Sequence, residues 1–401
     1  MKKVEDIQVK GKRVLVRCDF NVPLDKEGNV VDDIRIREAA PTINYLIKEG
    51  AKVIVMSHLG SPKNQRNIGE KTSLLQRLSR KRPEGSIYPI KEHLSLAIKR
   101  PVDFVNDCIG EKVNKRISEM EEGQVLLLEN VRFYKEEKEN SMDFARRLSS
   151  LADVYINDAF SVSHRNHASV ASVSRFLPSA AGMLLQKEIN TLQEIKKDKR
   201  RPLVVVIGGA KIKSKMSAVS YFLKNADHVI LGGKLANAVL VVRNISIGQD
   251  MPEDDVVRAV EENDFTSPKA HIPVDVIASP DHTGSVYVRE TAPAQVRGDE
   301  DILDIGSETI KMYGEIIKEA GAIIWIGPLG LFEEKSFETG TREIADRIIR
   351  NHRALKIVGG GDTISALAKF DLLEKMDHYS CGGGALLAYI SESPMPGLEG
   401  L

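Results

Sequence analysis

Cysteine is scarce: Cys18, Cys108 and Cys381 are the whole complement of 3. They form no even framework and have no metal-ligand spacing, which argues against a disulfide scaffold or a zinc module and fits a reducing cytosol. Net charge is also missing. Lys+Arg and Asp+Glu both number 57, so the overall balance gives no support to a nucleic-acid or membrane-surface partner and leaves room only for a local basic cleft. No apolar run approaches the length of a membrane span, and the polar stretch Met1–Lys10 lacks the apolar core of a signal peptide. The expectation is a cytoplasmic protein acting on small molecules. Two nucleotide fingerprints are absent as well. Neither GxGxxG with a downstream acid nor GxxxxGK[ST] occurs, which disfavours a nicotinamide-binding fold and a P-loop protein.

What is present is ordinary globular material, 42% hydrophobic and 28% charged. At 401 residues the chain is too long for one ordinary domain, so two are expected. In the first half, short apolar runs repeatedly end in polar turns. Lys12–Phe20 leads into Asp19 and Asn21, Ala51–Met56 into His58, Val125–Leu128 into Arg132, and Asp153–Ile156 into His164 and Arg165. Arg17, Asp19 and Asn21 alternate, which on an extended backbone puts them on one face. Strands alternating with helices imply a parallel α/β sheet, whose strand ends converge on one edge. Gathering these cations there is what an anionic, phosphorylated small substrate requires. Val31–Leu46 carries a helical apolar pattern interrupted by Pro41, where a kink or restart is expected. Arg35 precedes it and reads, from the residues alone, as an ordinary solvated arginine. The basic stretch Lys63–Arg82 reads as a solvated loop and helix face.

Pro178–Lys197 reads as a long amphipathic helix at the domain junction. Beyond it the strands Leu203–Ile207, His228–Leu231, Ala322–Ile326 and the run around Ile357 and Val358 each end in a glycine-bearing loop. These loops hold Gly209, Gly233, Pro328 and the triplet Gly359, Gly360 and Gly361. Glycines let backbone N–H groups approach a phosphate, and a helix start adds partial positive charge. Asp362 and Thr363 read as N-cap residues, and Asp362 also as the place where Mg²⁺ would be held. Lys211 and Lys215, four apart, share a face if a helix has begun.

These stretches, VRCDFNVPL, DDIRIREAAPTI, SHLG, LLLENVRF, NDAF with HRNHAS, GGAK, GPLGLFE, GGGDT and CGGGA, resemble phosphoglycerate kinases nearly end to end and in the family's order. The resemblance implies two doubly wound α/β domains joined by a long helix and a hinge, in a monomeric glycolytic enzyme. Residues 1–172, with 387–401 returning to them, would bind 3-phosphoglycerate or 1,3-bisphosphoglycerate, and residues 173–386 would bind Mg-ATP or Mg-ADP. Arg17, Asp19, Asn21, His58, Arg132 and Arg165 resemble the phosphoglycerate contacts. Arg35 resembles the arginine that stabilises the transferring group, replacing the bland reading. Lys211 resembles the lysine that follows the phosphoryl group and Lys215 a nucleotide-phosphate lysine. Glu333 resembles the ribose contact, Asp362 the Mg²⁺-nucleotide ligand, and Gly359–Gly361 with Thr363 the phosphate cradle; Gly209, Gly233 and Pro328 complete the nucleotide set.

The chain also departs from the family pattern. Ser61 stands where the family usually has Arg, with Lys63 or Arg66 as candidates to compensate. Ile326 replaces Asn, Ser214 replaces Asp, Lys234 interrupts a glycine run, and Cys381 replaces Thr. SerGluSer at 391–393 replaces GluGlyLys. The core cations and Asp362 are kept, so the expectation is an active, divergent member; the alternative is a degenerate paralogue that binds without turnover.

Overall fold

The structure is a computed structural model that describes residues 1–63, 65, 67–68, 83–246 and 249–401, with Ser214 described in its backbone only. The chain divides into two compact units, Met1–Leu192 with Pro394–Leu401, and Gln193–Ser393.

Unit 1 is built on six strands, β1 (Arg13–Arg17), β2 (Lys52–Met56), β3 (Val102–Val105), β4 (Val125–Leu128), β5 (Val154–Asn157) and β6 (Ser179–Ala181). They lie in the order β3-β4-β2-β1-β5-β6, and every pairing is parallel. Such a sheet is covered on both faces, so its strands read as apolar runs rather than alternations. Val14, Val16, Val53, Val55, Leu127 and Ile156 enter one core, which includes Ile36, Ile43 and Leu46 of the helix Ile34–Lys48. Leu15, Ile54, Met56, Leu126, Leu128 and Tyr155 enter the other, with Val113, Ile117, Phe144 and Leu148. Chain direction reverses about β1: β2 lies on one side and β5 on the other. In sheets of this kind ligands sit at the carboxyl edge beside such a reversal.

Unit 2 repeats the plan. Strands β7 (Leu203–Ile207), β8 (His228–Leu231), β9 (Ala270–His271), β13 (Ala322–Ile326), β14 (Leu355–Gly359) and β15 (His378–Ser380) form a parallel sheet ordered β15-β14-β13-β7-β8-β9. Its reversal lies at β7, between β8 and β13. Trp325, the largest fully buried side chain, anchors the core and donates its indole N–H to the Gly327 carbonyl at 2.8 Å.

Several local expectations change. The helix Ile34–Lys48 runs without a break through Pro41. Proline removes one backbone donor, and the buried stripe Ile36, Ala40, Ile43 and Leu46 holds the turn on either side. The helix expected from Pro178 starts at Met183, after β6; its first turn is capped from afar by Asp158, whose carboxylate accepts from Leu184 N at 2.9 Å and Leu185 N at 3.2 Å. The division between units falls inside this helix, later than residue 172, because its first turns belong to unit 1. The returning segment begins at Pro394, whereas residues 387–393 stay with unit 2. A small sheet of β10 (Val276–Ser279), β11 (Arg289–Thr291) and β12 (Asp301–Ile305) in unit 2 is antiparallel and was not anticipated. The basic stretch at 63–82 lies mostly outside the described residues, as does Arg66. Among the described residues no helix is long and apolar enough to cross a membrane.

The closing segment is held in unit 1 by Asn157, whose Nδ2 donates to the Gly397 carbonyl at 2.8 Å, and by Gly397 N donating to Ser163 O at 2.9 Å. A Cβ at Gly397 would stand 2.6 Å from Val170 Cγ1 and 2.9 Å from Ser163 Cα. Gly397→Ala is therefore expected to destabilise unit 1 by about 1–3 kcal/mol through overpacking, read as a lower denaturation midpoint with faster amide exchange at residues 394–401. An unchanged midpoint would show that the segment is not packed there.

Candidate functional site

In unit 1 the loops after β1, β2, β4 and β5 leave the same sheet edge and carry the cations. Arg17, the last residue of β1, is fully buried. Its Nε donates to Ser169 Oγ at 2.9 Å, and Ser169 Oγ donates to Glu137 Oε1 at 2.6 Å. Glu137 is itself fully buried and also accepts from Ser169 N at 2.9 Å. A hydroxyl thus links two buried opposite charges, satisfying both. The other end of Arg17 places Nη2 3.2 Å from His58 Nδ1. A guanidinium can only donate, so Nδ1 is the acceptor and the ring proton sits on Nε2. Burial drives the His58 pKa well below its usual value, and although Asp19 opposes this, Arg17, Arg132 and Arg165 add to it. The ring is therefore neutral, and the 3.5 Å approach of Asp19 Oδ1 to Nδ1 is not an ion pair.

Asp19 pairs with Arg35 Nη1 and accepts from Ser161 Oγ. Burial would raise its pKa, but Arg35, the Ser161 hydrogen bond and Arg17 together hold it well below the usual carboxylate range. Asn21 accepts from Gly60 N at 2.7 Å, and Arg132 Nη1 donates to Gly60 O at 2.7 Å. The turn after β2 is thus held between two of the expected residues. Asn130 supports it further, its Nδ2 donating to Leu59 O at 2.7 Å and to Gly85 O at 2.8 Å.

Arg132 is the group with most left undone. Its Nε and Nη2 are buried with no hydrogen-bond partner among the described residues, and Nδ1 of His164 and of His167 likewise has none. Burial, with Arg165 and Arg17 nearby, lowers the Arg132 pKa to about 10. Burial likewise lowers His164 to about 4 and His167 to about 3. Buried donors without acceptors, beside a surplus of positive charge, describe a site for an anion.

Unit 2 is organised by backbone rather than by charge. Gly209 N donates to Pro328 O at 2.7 Å and Gly233 N to Leu329 O at 2.9 Å. Gly327 N donates to Thr363 Oγ1 at 2.7 Å, and that hydroxyl donates to Gly359 O at 2.9 Å. Gly360 N donates to Ser380 O at 2.9 Å, and a Cβ on Gly383 would stand 2.6 Å from Gly360 Cα. The five strand-end loops interlock, so these glycines serve loop–loop approach first. Gly360, at φ 97°, precedes the helix Gly361–Lys369, so Asp362 and Thr363 lie inside the first turn rather than capping it. The N–H groups of Gly361, Asp362 and Thr363 have no carbonyl within the helix to bond, as in any first turn. Asp362 is exposed there, and Thr363 is buried. Ile326 is buried, with Cγ1 3.4 Å from where a Gly359 Cβ would be; it fills the floor of the glycine triplet with an apolar side chain.

Lys211 precedes the helix Lys213–Asn225 while Lys215 lies within it, so the two do not share a helical face as expected. Lys215 Nζ donates to Gly208 O. Burial lowers its pKa to about 8; the charge of Lys211 contributes and that of Asp362 opposes it. Glu333 is exposed, and its carbonyl accepts from Lys369 Nζ at 3.3 Å. Among the described residues no group of three or more His, Cys, Asp or Glu could hold a metal ion alone. A lone exposed carboxylate at a helix start suits a Mg²⁺ that takes its remaining ligands from phosphates and water. The sequence reading missed Glu137 and Ser169, which brace Arg17 from behind, and Ser161, which donates to Asp19; HRNHAS held Ser169 in view, but nothing local joins it to Arg17.

Comparison with known proteins follows the same lines. The family model described as phosphoglycerate kinase matches residues 4–393. A protein named phosphoglycerate kinase from Borrelia turicatae is 39% identical, covering 100% of this chain and 98% of its own. One from Dictyoglomus turgidum is also 39% identical, covering 98% and 96%. The crystal structure of phosphoglycerate kinase from Pyrococcus horikoshii superposes with TM-score 0.84 at 30% identity over 100% of this chain and 98% of that one. The Coxiella burnetii phosphoglycerate kinase structure gives 0.74 at 33% over 99% and 98%.

An amine with a pKa of about 8 is half neutral near that pH, and a bound anion favours its charged form. Tripolyphosphate binding to unit 2 is therefore expected to take up protons between about pH 7 and 9, read by calorimetry in two buffers of different ionisation enthalpy. Lys215→Met should remove the share of the uptake that Lys215 supplies; the same proton exchange in the variant and the unmodified protein would mean that Lys215 does not meet the ligand. The same shift affects stability. Because the unfolded lysine stays protonated to its usual 10.5, the contribution of Lys215 to stability rises with pH across the window between the two values.

Proposed function

The chain belongs to the phosphoglycerate kinase family, and on that premise we propose that it transfers a phosphoryl group reversibly between 1,3-bisphosphoglycerate with ADP and 3-phosphoglycerate with ATP. It is a phosphotransferase with a carboxylate acceptor. Unit 1 takes the phosphoglycerate and unit 2 the nucleotide. The observation that carries the first assignment is Arg132, with two buried donors awaiting an acceptor among Arg17, Arg165 and His58. The second is supported by the strand-end loops around Gly209, Gly233, Pro328 and the Gly359–Gly361 triplet, together with Lys211, Lys215 and Glu333.

The chemistry suits these residue types. The transferring group carries negative charge on its equatorial oxygens, so catalysis is alignment plus cationic stabilisation. The accepting carboxylate, with an ordinary pKa near 4, is already ionised at neutral pH, so no general base is required. Arg35 is placed to exchange Asp19 for the transferring group, and Lys211 to follow that group. Asp362 would hold Mg²⁺, which neutralises nucleotide phosphate charge when bound. Ligands held on separate units require a closing motion that brings donor and acceptor into line and expels water; a hinge is part of the proposal, as are a cytoplasmic location and a monomeric state. The changes at Ile326, Lys234 and Cys381 leave the cations untouched, which favours turnover over binding alone.

The test is a coupled assay of ATP-dependent phosphorylation of 3-phosphoglycerate at saturating substrates. Turnover is expected, and its absence would favour the binding-only paralogue. Arg35→Met should lower kcat about 100- to 1000-fold, as loss of one preorganised charge stabiliser does, while the KM for 3-phosphoglycerate changes far less. A change confined to KM would move Arg35 from the reacting group to ground-state binding.

A further inference from the structure

Ser61 removes a positive charge from the turn after β2, and the candidates nearest in sequence were Lys63 and Arg66. The structure points to a different element. We propose that Lys138, at the end of the short helix Lys135–Lys138, supplies the cation missing at position 61 and binds the phosphate of the phosphoglycerate directly. The inference rests on the functional reading above.

Lys138 Nζ donates to Ser61 Oγ. Ser61 follows Gly60, the residue whose carbonyl Arg132 holds at 2.7 Å, so the ammonium lies against the same turn as the arginine with unfilled donors. Charge locates it independently. Burial lowers the Lys138 pKa, and the next causes are the positive charges of Arg132 and Arg165. Lys138 thus feels both arginines of the expected phosphate site. The local fold explains how it reaches them. Glu137 points inward, fully buried, and is fixed by Ser169 N and Oγ. That anchor fixes the neighbouring Lys138 on the outward side, six positions along from Arg132 on the same segment. An ammonium has three donors; one goes to Ser61, and the other two meet no acceptor among the described residues. The side chain is exposed, so it is open to a ligand arriving from solvent. The serine at 61 and the lysine at 138 are one feature: the hydroxyl at 61 is the acceptor that the long cation from 138 uses.

A structural role predicts the opposite of a binding role here. Lys138 adds a like charge to an already positive cluster, so removing it should not destabilise the unliganded protein. It should weaken anion binding by the amount typical of one charge-assisted hydrogen bond, about 10- to 100-fold. The experiment measures KM for 3-phosphoglycerate and for ATP, kcat and the unliganded melting temperature for the full-length protein, Lys138→Met, Lys138→Arg and the double variant Ser61→Arg with Lys138→Met. Expected are a KM for 3-phosphoglycerate raised about 10- to 100-fold in Lys138→Met, with kcat and the KM for ATP within about threefold, and no fall in melting temperature. Lys138→Arg and the double variant should recover most of the loss. An unchanged KM in Lys138→Met, or a loss that Ser61→Arg does not repair, overturns the proposal. If the unmodified protein does not turn over, calorimetric titration with 3-phosphoglycerate separates the two readings. Binding that weakens in Lys138→Met upholds the role of Lys138 while the kinase reading falls; no binding by the unmodified protein overturns both.

Discussion

The anion site of unit 1 depends on keeping several guanidinium groups close together before any ligand arrives. Left alone such a cluster repels itself and resists burial. Two carboxylates make it tolerable, and they are placed unequally. Glu137, through Ser169, balances Arg17 at the buried end, and Asp19 balances Arg35. Among the described residues, Arg132 and Arg165, with Lys138 outside them, have no carboxylate of their own in hydrogen-bonding contact. The positive surplus therefore lies on the side of Arg132 and Arg165, and Arg132 retains two unfilled donors there. An anion is drawn to one end of the cluster, which orients it as well as holding it.

Unit 2 meets a related demand with different material. Its loops present few charges, and what fixes them is contact between backbones. Gly209 and Gly233 donate to the loop after β13, and Gly360 donates to the end of β15. Side chains at Gly232 or Gly383 would collide with Leu329 and Gly360. The glycines are thus occupied in holding one another, and the donors left for a phosphate move to the first turn of the helix Gly361–Lys369. That turn is rigid because Thr363 fastens it to both neighbouring strand ends. The apolar Ile326 beneath the triplet fits this arrangement, since the floor is packed and not solvated.

Much of this was legible in the chain. Buried parallel strands announce themselves as apolar runs, and β1, β2, β4, β7, β8 and β13 were located that way because both faces of each sheet are covered. The residues at their ends were found for the same reason: a charged residue just after such a run has a sheet edge to occupy. What sequence did not disclose was support between distant segments. Nothing near Arg17 indicates Ser169 or Glu137, and nothing near Ser61 indicates Lys138, because those contacts form only when the loops after β2, β4 and β5 meet. Asp158 capping a helix that starts at Met183 is the same kind of event. The antiparallel sheet β10–β12 was missed because its strands, VIAS, RET and DILDI, mix polar with apolar residues and give no continuous apolar signal. Lys211 and Lys215 would share a face only if a helix had begun before Lys211, and it begins at Lys213.

Asp19 joins these themes, because it decides when Arg35 becomes available. Arg35, Arg17 and a hydrogen bond from Ser161 keep it ionised far below neutral pH, so no physiological change of pH releases Arg35 from it. Only a competing anion can do so. The competitor must bring more charge than a carboxylate or offer better geometry, and a transferring phosphoryl group, with its three equatorial oxygens, does both. Substrate carboxylate alone would face Asp19 on equal terms and leave the pair in place. In the proposed reaction the ion pair would discriminate, Arg35 keeping Asp19 through substrate binding and turning to the transferring group as that group is passed on. An interaction that is strong only at that moment lowers the barrier without deepening the ground state. A carboxylate that stays ionised across the physiological range is therefore suited to the role proposed for it, holding Arg35 in reserve.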